Sequence, residues 1–346
     1  MASWSLHPLE RQQWDNFVAV HPHALLFHRA VWLDLLQQLY GLAWAPLGIW
    51  ANGQLVGVLP LQLRQLGPFH LAGSPLMRVI ASTPHLGPLC EPEHLVATLS
   101  ALREWSSRRH INHIEMAFAH AIADPSAIAQ LGYTIETCQT ARIDLRGCTC
   151  NDLWRSLSGS CRTAIRKGER EIAEVLPVTG PEIIPAYYRL CEEVYATANR
   201  TPHLDATFYL KMWAALGNSD MLKMFVARQH GKLIAGIVLL AYNGFVFYLS
   251  GASRQSYESL RPNNLLQWRA LQWAVQSGQA WYDMGGVSIP GITRFKLSFG
   301  AEIHNYIRIH QVSSHLAGFA RMAYVRTIPW WRKIQKKLSN PHGFVG

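Results

Sequence analysis

The sequence has no apolar run long enough to span a membrane, and we expect no secretory leader. Its most apolar stretch, residues 233–249, is interrupted by Asn243-Gly244, a dipeptide typical of a type I′ β-hairpin turn. The first fourteen residues contain neither the basic region nor the continuous apolar segment of a signal peptide. These two absences argue against an integral membrane protein, and we expect the chain to be cytoplasmic.

Motifs for metal and nucleotide chemistry are also missing. The six cysteines have no spacing typical of a zinc site, and the sixteen histidines offer no pair backed by carboxylates. Neither a P-loop nor a Gly-x-Ser-x-Gly nucleophile motif occurs. We therefore expect reduced structural thiols, no metal and no cofactor.

Acidic residues are absent from the end of the chain. The net charge is +10 over 346 residues, and no aspartate or glutamate follows Glu302. Residues 316–338 have the spacing of an amphipathic basic helix, and Trp330-Trp331 beside two cations is typical of a segment in a bilayer interface. The segment 317–346 therefore either contacts an anionic membrane through Arg321–Lys337, at its inner face, or packs its aromatic rings on the body of the protein.

A second basic cluster lies on a helix predicted over residues 153–174. Apolar residues recur near one side of this helix, and Asp152 can cap its start. The cations suit an anionic partner such as tRNA or a nucleotide phosphate, whereas an ordinary solvated helix face is the alternative. The candidate anion-binding residues are Arg162, Arg166, Lys167 and Arg170.

The two halves of the chain repeat the same order of elements. The length of 346 residues exceeds one ordinary core, and 49% hydrophobic residues exclude a largely disordered chain. GQLVGVLPL at 53–61 aligns without a gap with GKLIAGIVL at 231–239, and residues 104–116 align with 272–284. This repetition indicates a duplicated α/β unit.

The duplication predicts the fold. Each half would contain a mixed, mainly antiparallel sheet of meandering strands flanked by helices. Glu115 and Asp283 are counterparts on the equivalent strand of each half. We therefore expect an α/β (α+β) protein with a first domain at residues 1–150, a second at 151–316 and a basic segment at 317–346.

Residues 281–300 hold our first candidate for an active site. A short apolar strand contains Asp283, Gly285-Gly286 allows a tight backbone turn, and Phe295-Lys296 follows after a short connection. In α/β proteins, ligands usually bind at strand ends and at the loops that leave them. The alternative is a strand-turn-strand in which Phe295 belongs to the core and Lys296 points at water. The motif occurs only in the second half, and we expect the site to face the cleft between the halves.

Several motifs follow one another in a characteristic order, whereas a coenzyme A loop is missing. No Gly-x-Gly/Ala turn opens the helix after the strand FVFYLSG, where a pyrophosphate would bind. The motifs are the Arg-x-x-Ile-Arg-Lys-x-Glu-Arg run at 162–170, Asn199 to Pro202 with Phe208-Tyr209, Tyr248 to Ser253, and Asp283 to Gly286 with Phe295-Lys296. With them, the chain resembles the Fem-type (FemAB-like) family of aminoacyl-tRNA-dependent peptidyltransferases and related acyltransferases.

The resemblance implies two tandem acetyltransferase-like (GNAT-like) domains and roles for particular residues. Lys296 and Phe295 match the family's pair near the transfer centre, where the lysine stabilises negative charge. Glu115 falls near the family's acidic position in the first half. No lysine precedes Lys167, so the family's N-terminal phosphate-binding lysine is missing. The residues implied to bind substrate are Arg200, Tyr209, Tyr248, Gly285 and Gly286.

The resemblance implies transfer of an aminoacyl group from aminoacyl-tRNA to an amine of a cell-envelope precursor or another small-molecule or peptide acceptor. An activated ester needs an amine held in line and a cation at the developing oxyanion, a role that suits Lys296. Glu115 or Asp283 could accept the amine proton, although a buried acid bonded to backbone is the alternative for both. Two other functions stay open: an acyl-CoA- or carrier-dependent N-acyltransferase in polysaccharide or metabolite biosynthesis, and a non-catalytic membrane-associated scaffold.

Overall fold

A computed structural model describes residues 3–76, 79, 81–119, 122, 124–197 and 199–312. The segment predicted at 317–346, with Arg321–Lys337, lies outside the described residues. The helices are α1 (Arg11–Val20), α2 (Ala30–Tyr40), α3 (Leu95–Ser107), α4 (Pro125–Gln130), α5 (Cys150–Ser156), α6 (Gly159–Glu171), α7 (Ile184–Thr197), α8 (Ala206–Leu216), α9 (Pro262–Gln276) and α10 (Pro290–Leu297). The strands are β1 (Trp4–Pro8), β2 (Ala43–Ala51), β3 (Gln54–Leu66), β4 (Phe69–Ser74), β5 (Leu89–Cys90), β6 (His113–Ala117), β7 (Thr134–Asp144), β8 (Glu174–Pro177), β9 (Leu222–Gln229), β10 (Lys232–Tyr242), β11 (Phe245–Ser253), β12 (Trp281–Gly286) and β13 (Glu302–Val312).

All of these strands belong to one continuous sheet. The order is β1-β2-β3-β4-β6-β13-β7-β12-β11-β10-β9-β8, and β5 pairs with β3 beside this path. The pairs β4–β6 and β11–β12 are parallel, and the other neighbouring strands are antiparallel. The predicted mixed and mainly antiparallel architecture is therefore confirmed. The expectation of a separate sheet in each half is wrong, because the central strands join the halves edge to edge.

The last strand of each half is exchanged at the centre of the sheet. Strand β7 comes from the first half but pairs with β12 of the second half, and β13 from the second half pairs with β6 of the first. The two exchanged strands also pair with each other. The predicted domain border near residue 150 stays a prediction, and the sheet itself has no break there.

Three hairpins form where the sequence predicts tight turns. Both central residues of each turn have positive φ, from 49° to 81°, as a type I′ turn requires. These turns also repeat in the two halves, since the first joins β2 to β3 and the second joins β9 to β10. The three turns are Asn52-Gly53, His230-Gly231 and Asn243-Gly244.

The helix predicted over residues 153–174 is instead two helices. Helix α5 ends before Ser158, whose Oγ accepts a hydrogen bond from the Cys161 amide at 3.2 Å and so begins α6. Thr149, rather than Asp152, is the N-cap of α5, and the two residues form a reciprocal capping box.

The two faces of the sheet carry separate cores. Side chains alternate along β10, so that Val238 and Leu240 join one hydrophobic cluster while Ile237 and Leu239 join another. The first of these clusters contains residues of both halves, with the rings of Trp32 and Phe208 meeting edge to face at 6.2 Å. The halves are therefore joined by shared packing as well as by strand pairing. Within the described part of the chain, no helix has the length and apolarity needed to cross a membrane.

Candidate active site

A cavity opens where strands β11 and β12 separate. The two strands pair in parallel only from Phe245↔Trp281 to Phe247↔Asp283, although β11 continues to Ser253. A bulge at Leu249, which has no partner in the register with β10, bends β11 at this point. The cavity measures about 260 Å³. Its polar lining comes from His85, Thr140, Tyr248, Lys296 and Tyr306 with the Gly285-Gly286 backbone, and its apolar lining from Ala81, Pro84, Phe247, Leu249 and Met284.

Asp283 is a fully buried carboxylate beneath this cavity. It accepts hydrogen bonds from Thr140 Oγ1 at 2.5 Å, Arg142 Nε at 2.8 Å and the Gly285 amide at 2.7 Å. Burial alone would raise the pKa of this carboxyl, but the nearby His85, the Arg142 charge and the Thr140 hydroxyl lower it well below its usual range. Asp283 is therefore ionised and committed to protein donors, which suits a buried counter-charge better than a general base.

Lys296 lies on α10 with only 6% of its surface exposed. Its Nζ donates to the Gly286 carbonyl oxygen at 2.7 Å. Burial lowers the pKa of this amine from 10.5 to about 8, and the charge of Asp283 partly opposes that shift. The alternative in which Lys296 points at water is wrong. The strand-turn-strand that it assumed is wrong as well, because residues 290–297 are helical.

Gly285 lets the backbone turn between the strand and the lysine. Its φ is +79°, and a Cβ placed there would lie 3.7 Å from Lys296 Nζ. The next carbonyl, that of Gly286, thereby reaches the ammonium group. Both predicted glycines lie at the cavity and shape its floor.

The aromatic residues predicted near the site have different places. Tyr248 lines the cavity, and burial raises the pKa of its hydroxyl. Tyr209 is buried on α8 and donates to Ser250 Oγ at 3.0 Å, within the core rather than in the cavity. Phe295 packs edge to face on Phe299 at 5.1 Å and so anchors α10.

Arg200 and Glu115 are not brought to the cavity. Arg200 is exposed between α7 and α8. Glu115 is buried on β6, where its Oε2 lies 3.2 Å from His113 Nε2. Glu115 pairs with His310 of β13. Asp283 pairs with Arg142 of β7, and Arg142 pairs on its other side with Glu302 of β13. The eight residues between these positions correspond to about 26 Å of strand.

Arg162 of the predicted basic cluster donates hydrogen bonds to the backbone of its own chain. Its Nη1 donates to the carbonyl oxygens of Trp154, Arg155 and Leu157, at 3.4, 3.2 and 2.6 Å. These carbonyls belong to the last turn of α5 and the link that follows it. Arg162 therefore caps α5.

The other three cations of the cluster lie at the surface of α6. The guanidinium of Arg166 lies 5.4 Å from the Trp154 ring, and Lys167 Nζ lies 3.9 Å from a Glu171 oxygen. Arg170 is exposed. These residues are open to an anionic partner, but the cavity is not lined by them.

Four residues of the cavity and its base were missed by sequence reasoning. Tyr306 comes from β13, and the ring of His85 meets it edge to face at 4.5 Å. Thr140 and Arg142 stand two apart on β7 and so share a face of the sheet, a pattern that could have indicated a polar site. His85 follows β4 in a loop and is hidden among sixteen histidines.

His85 and Thr140 are the most buried polar side chains of the cavity lining. His85 is 1% exposed, and its Nε2 lies 3.6 Å from Asp283 Oδ2. Burial lowers the pKa of the imidazole, and the proximity of Asp283 only partly offsets this effect. His85 is therefore a neutral imidazole beside an ionised carboxylate.

Metal-binding geometry is not found in the described residues. No group of three or more His, Cys, Asp or Glu side chains in this part of the chain could hold a metal ion. All six cysteines are free thiols.

Comparisons with known proteins agree with this architecture. Residues 157–297, which include Asp283 and Lys296, match the family described as "Acetyltransferase (GNAT) domain". A crystal structure of FemX superposes with a TM-score of 0.71 and 15% identity, covering 88% of this chain and 96% of that one. The chain therefore has the double GNAT-like fold that FemX also has. The fold that the resemblance implied is thus confirmed, and the second half of the chain is similar to the acetyltransferase family.

Two further known proteins are similar to this chain. A UDP-N-acetylmuramoylpentapeptide-lysine N(6)-alanyltransferase of Weissella viridescens is 28% identical over 85 residues, which is 25% of each chain. The chain thus matches about a quarter of the length of this curated relative. A tandem GNAT protein from the clavulanic acid biosynthesis pathway has a TM-score of 0.56 at 12% identity, covering 91% of this chain and 99% of that one.

Proposed function

We propose that this protein is a Fem-like acyltransferase that moves an aminoacyl group to an amine acceptor in the cavity between β11 and β12. The observation that carries the proposal is Lys296, a buried cation at the cavity wall that is held by the Gly286 carbonyl oxygen at 2.7 Å. Within the described residues, that carbonyl takes one of the three ammonium donors, which leaves donors for a ligand oxygen.

The proposed reaction follows from this placement. The amine nitrogen attacks the carbonyl carbon of the activated acyl group, and the C–N bond forms as the carbonyl electrons move to oxygen. Lys296, which is itself buried, stabilises this oxyanion. Collapse of the intermediate breaks the bond to the leaving oxygen, which takes up the proton that the amine nitrogen loses, and the amide is released. Ionised Asp283 favours the charged form of Lys296.

The size of the cavity favours a small acyl group. Its volume of about 260 Å³ is below the roughly 300–1,000 Å³ of pockets that enclose a drug-sized ligand. Apolar walls from Phe247, Leu249 and Met284 suit a small uncharged side chain. The larger parts of donor and acceptor would lie outside the cavity.

Aminoacyl-tRNA is the donor that we propose. The net charge of +10 and the exposed cations of α6 suit a polyanionic donor. Lysyl or other primary amines of a small-molecule or peptide acceptor are the proposed nucleophiles, by analogy with the alanyltransferase relative. Contact with an anionic membrane through Arg321–Lys337 stays a separate proposal.

Acyl-CoA is the alternative donor, because residues 157–297 match an acetyltransferase domain. One feature of the structure opposes it. Helix α9, which follows β11, begins with Pro262 after Arg261 in a left-handed conformation. Proline has no amide hydrogen, so this helix start offers fewer backbone donors to a pyrophosphate.

The donor can be tested directly. Bulk tRNA charged with labelled amino acids should donate label to short lysine-containing peptides in the presence of the protein, and RNase treatment of the donor should abolish the transfer. Acetyl-CoA and longer acyl-CoA should give no product in parallel reactions. Transfer that survives RNase and requires acyl-CoA would contradict the tRNA proposal and support the alternative.

The proposed role of Lys296 also predicts a pH dependence. Because the pKa of Lys296 is lowered to about 8, kcat/KM calculated for the unprotonated form of the acceptor amine should fall as the pH rises above 8, by about tenfold per unit. The groups that face this amine are Asp283 on β12, His85, Tyr248 on β11 and Tyr306 on β13. Lys296→Arg should move the alkaline fall to higher pH, since a guanidinium stays protonated.

The folding stability, unlike the activity, should increase as the pH rises above 8. The folded chain loses the Lys296 proton near pH 8, whereas the unfolded chain keeps it to about pH 10.5. Stability contributed by this group therefore rises between these two values. A value of kcat/KM for the unprotonated acceptor that stays flat to pH 10 while the protein remains folded would contradict a catalytic ammonium.

A further inference from the structure

His85 is a buried imidazole whose nitrogens have no hydrogen-bond partner among the described residues. Both Nδ1 and Nε2 are inaccessible to solvent and unpaired there. Buried polar atoms without a partner are uncommon, because each one loses its hydration without compensation. The side chain lies at the cavity wall, so a molecule inside the cavity can supply the missing partner.

The surroundings of His85 favour one tautomer. Nε2 faces the Asp283 carboxylate at 3.6 Å, which is longer than a hydrogen bond but close enough to favour a proton on Nε2. Asp283 stays ionised because Arg142 and Thr140 donate to it. Nδ1 then carries no proton and has a free lone pair.

The other groups around His85 keep it neutral. Charged or titratable side chains reach it from β12 (Asp283), from β7 (Arg142), and from β13 (Arg308 and Tyr306). Lys296 of α10 lines the same cavity. Burial and the two guanidinium charges lower the pKa of the imidazole, so it carries a free lone pair at neutral pH.

We propose that His85 is the general base of the transfer, a catalytic residue that the first half of the chain contributes to the site of the second half. This inference rests on the proposed acyl transfer to an amine. As the amine nitrogen bonds to the carbonyl carbon, His85 Nδ1 accepts the proton that the nitrogen must lose. The imidazolium, stabilised by Asp283, then returns this proton to the leaving oxygen as its bond to carbon breaks. The carboxylate orients the base, and Lys296 holds the oxyanion, so the two catalytic side chains have separate tasks.

The test uses His85→Ala and His85→Gln in the full chain. The matched control is His7→Ala, which replaces an exposed histidine of β1. With bulk aminoacyl-tRNA and a lysine-containing peptide, we expect both His85 variants to lose about 10²-fold or more in kcat with smaller changes in KM. Free imidazole in the buffer should restore part of the activity of His85→Ala and none of that of His85→Gln, whose side chain fills the space. His7→Ala should keep wild-type rates.

The outcomes separate this inference from the proposed function. A wild-type protein that transfers from neither aminoacyl-tRNA nor acyl-CoA contradicts the acyltransferase and the base together. An active wild type with undiminished His85→Ala contradicts the base alone. Loss of activity without rescue by imidazole, in variants whose melting temperature is unchanged, also overturns the role as a base. If His85→Ala does not fold, His85→Gln decides, because wild-type kcat in that variant overturns the proposal.

Discussion

Replacement of Lys296 by methionine is expected to lower the transfer rate by about 10²-fold or more, as the loss of one preorganised oxyanion donor does in other enzymes. Methionine retains most of the buried side-chain volume and removes the charge. The Gly286 carbonyl loses its donor, but Gly286 is the exposed last residue of β12, where water can replace the ammonium. The measurement is kcat with aminoacyl-tRNA and a peptide amine, beside a melting curve for the fold.

The matched control for this variant is Lys211→Met. Lys211 is an exposed lysine of α8, so its loss changes the net charge equally without touching the cavity. We expect wild-type kcat from this control. Wild-type rates from a folded Lys296→Met would remove Lys296 from the site and would leave the cavity without its proposed oxyanion donor.

Replacement of Asp283 by alanine is expected to destabilise the fold by about 3 kcal/mol or more, because a buried ion pair loses one partner. The Arg142 guanidinium, 12% exposed, would keep its charge beside an apolar side chain. The hydroxyl of Thr140 and the amide of Gly285 would lose their acceptor as well. Urea unfolding, followed by circular dichroism, measures the change in free energy.

Two further variants show whether the ion pair is the cause. Asp220→Ala removes an exposed carboxylate in a turn and should change stability by less than about 0.5 kcal/mol. The double variant Asp283→Ala with Arg142→Met removes both charges, and it should recover part of the loss. A single Asp283→Ala protein as stable as the wild type would show that the carboxylate is not needed as a counter-charge.

Local signals in the sequence were enough to predict the hairpins and part of the candidate site. Asn52-Gly53 and Asn243-Gly244 determine their turns through their own backbone preferences, so no distant contact is needed. Asp283, Gly285-Gly286 and Lys296 lie within fourteen residues of one another, and their type and order after a strand indicated a site. Helix α10 was missed because its eight residues include Gly291 and give a weak helical pattern.

The remaining site residues could not be predicted from local sequence patterns, because strand pairing between distant parts of the chain determines where they lie. Glu115 is the counterpart of Asp283 in the repeat, and local reasoning gave both the same role. The exchange of β7 and β13 instead places them at opposite ends of the central strands. Thr140 reaches Asp283 across 143 positions, and His85 reaches it across nearly 200, which no local pattern encodes.

The exchange of the central strands also has a consequence for synthesis. Until β13 leaves the ribosome, one edge of β6 and one edge of β7 have no neighbour, so the nascent first half exposes open backbone edges. Such edges can pair with other chains, and closing them depends on contacts between residues far apart in sequence, which form slowly. Neither half can therefore mature alone: the chain acquires its continuous sheet, and with it a complete cavity wall from Tyr306, only when its last described strand arrives.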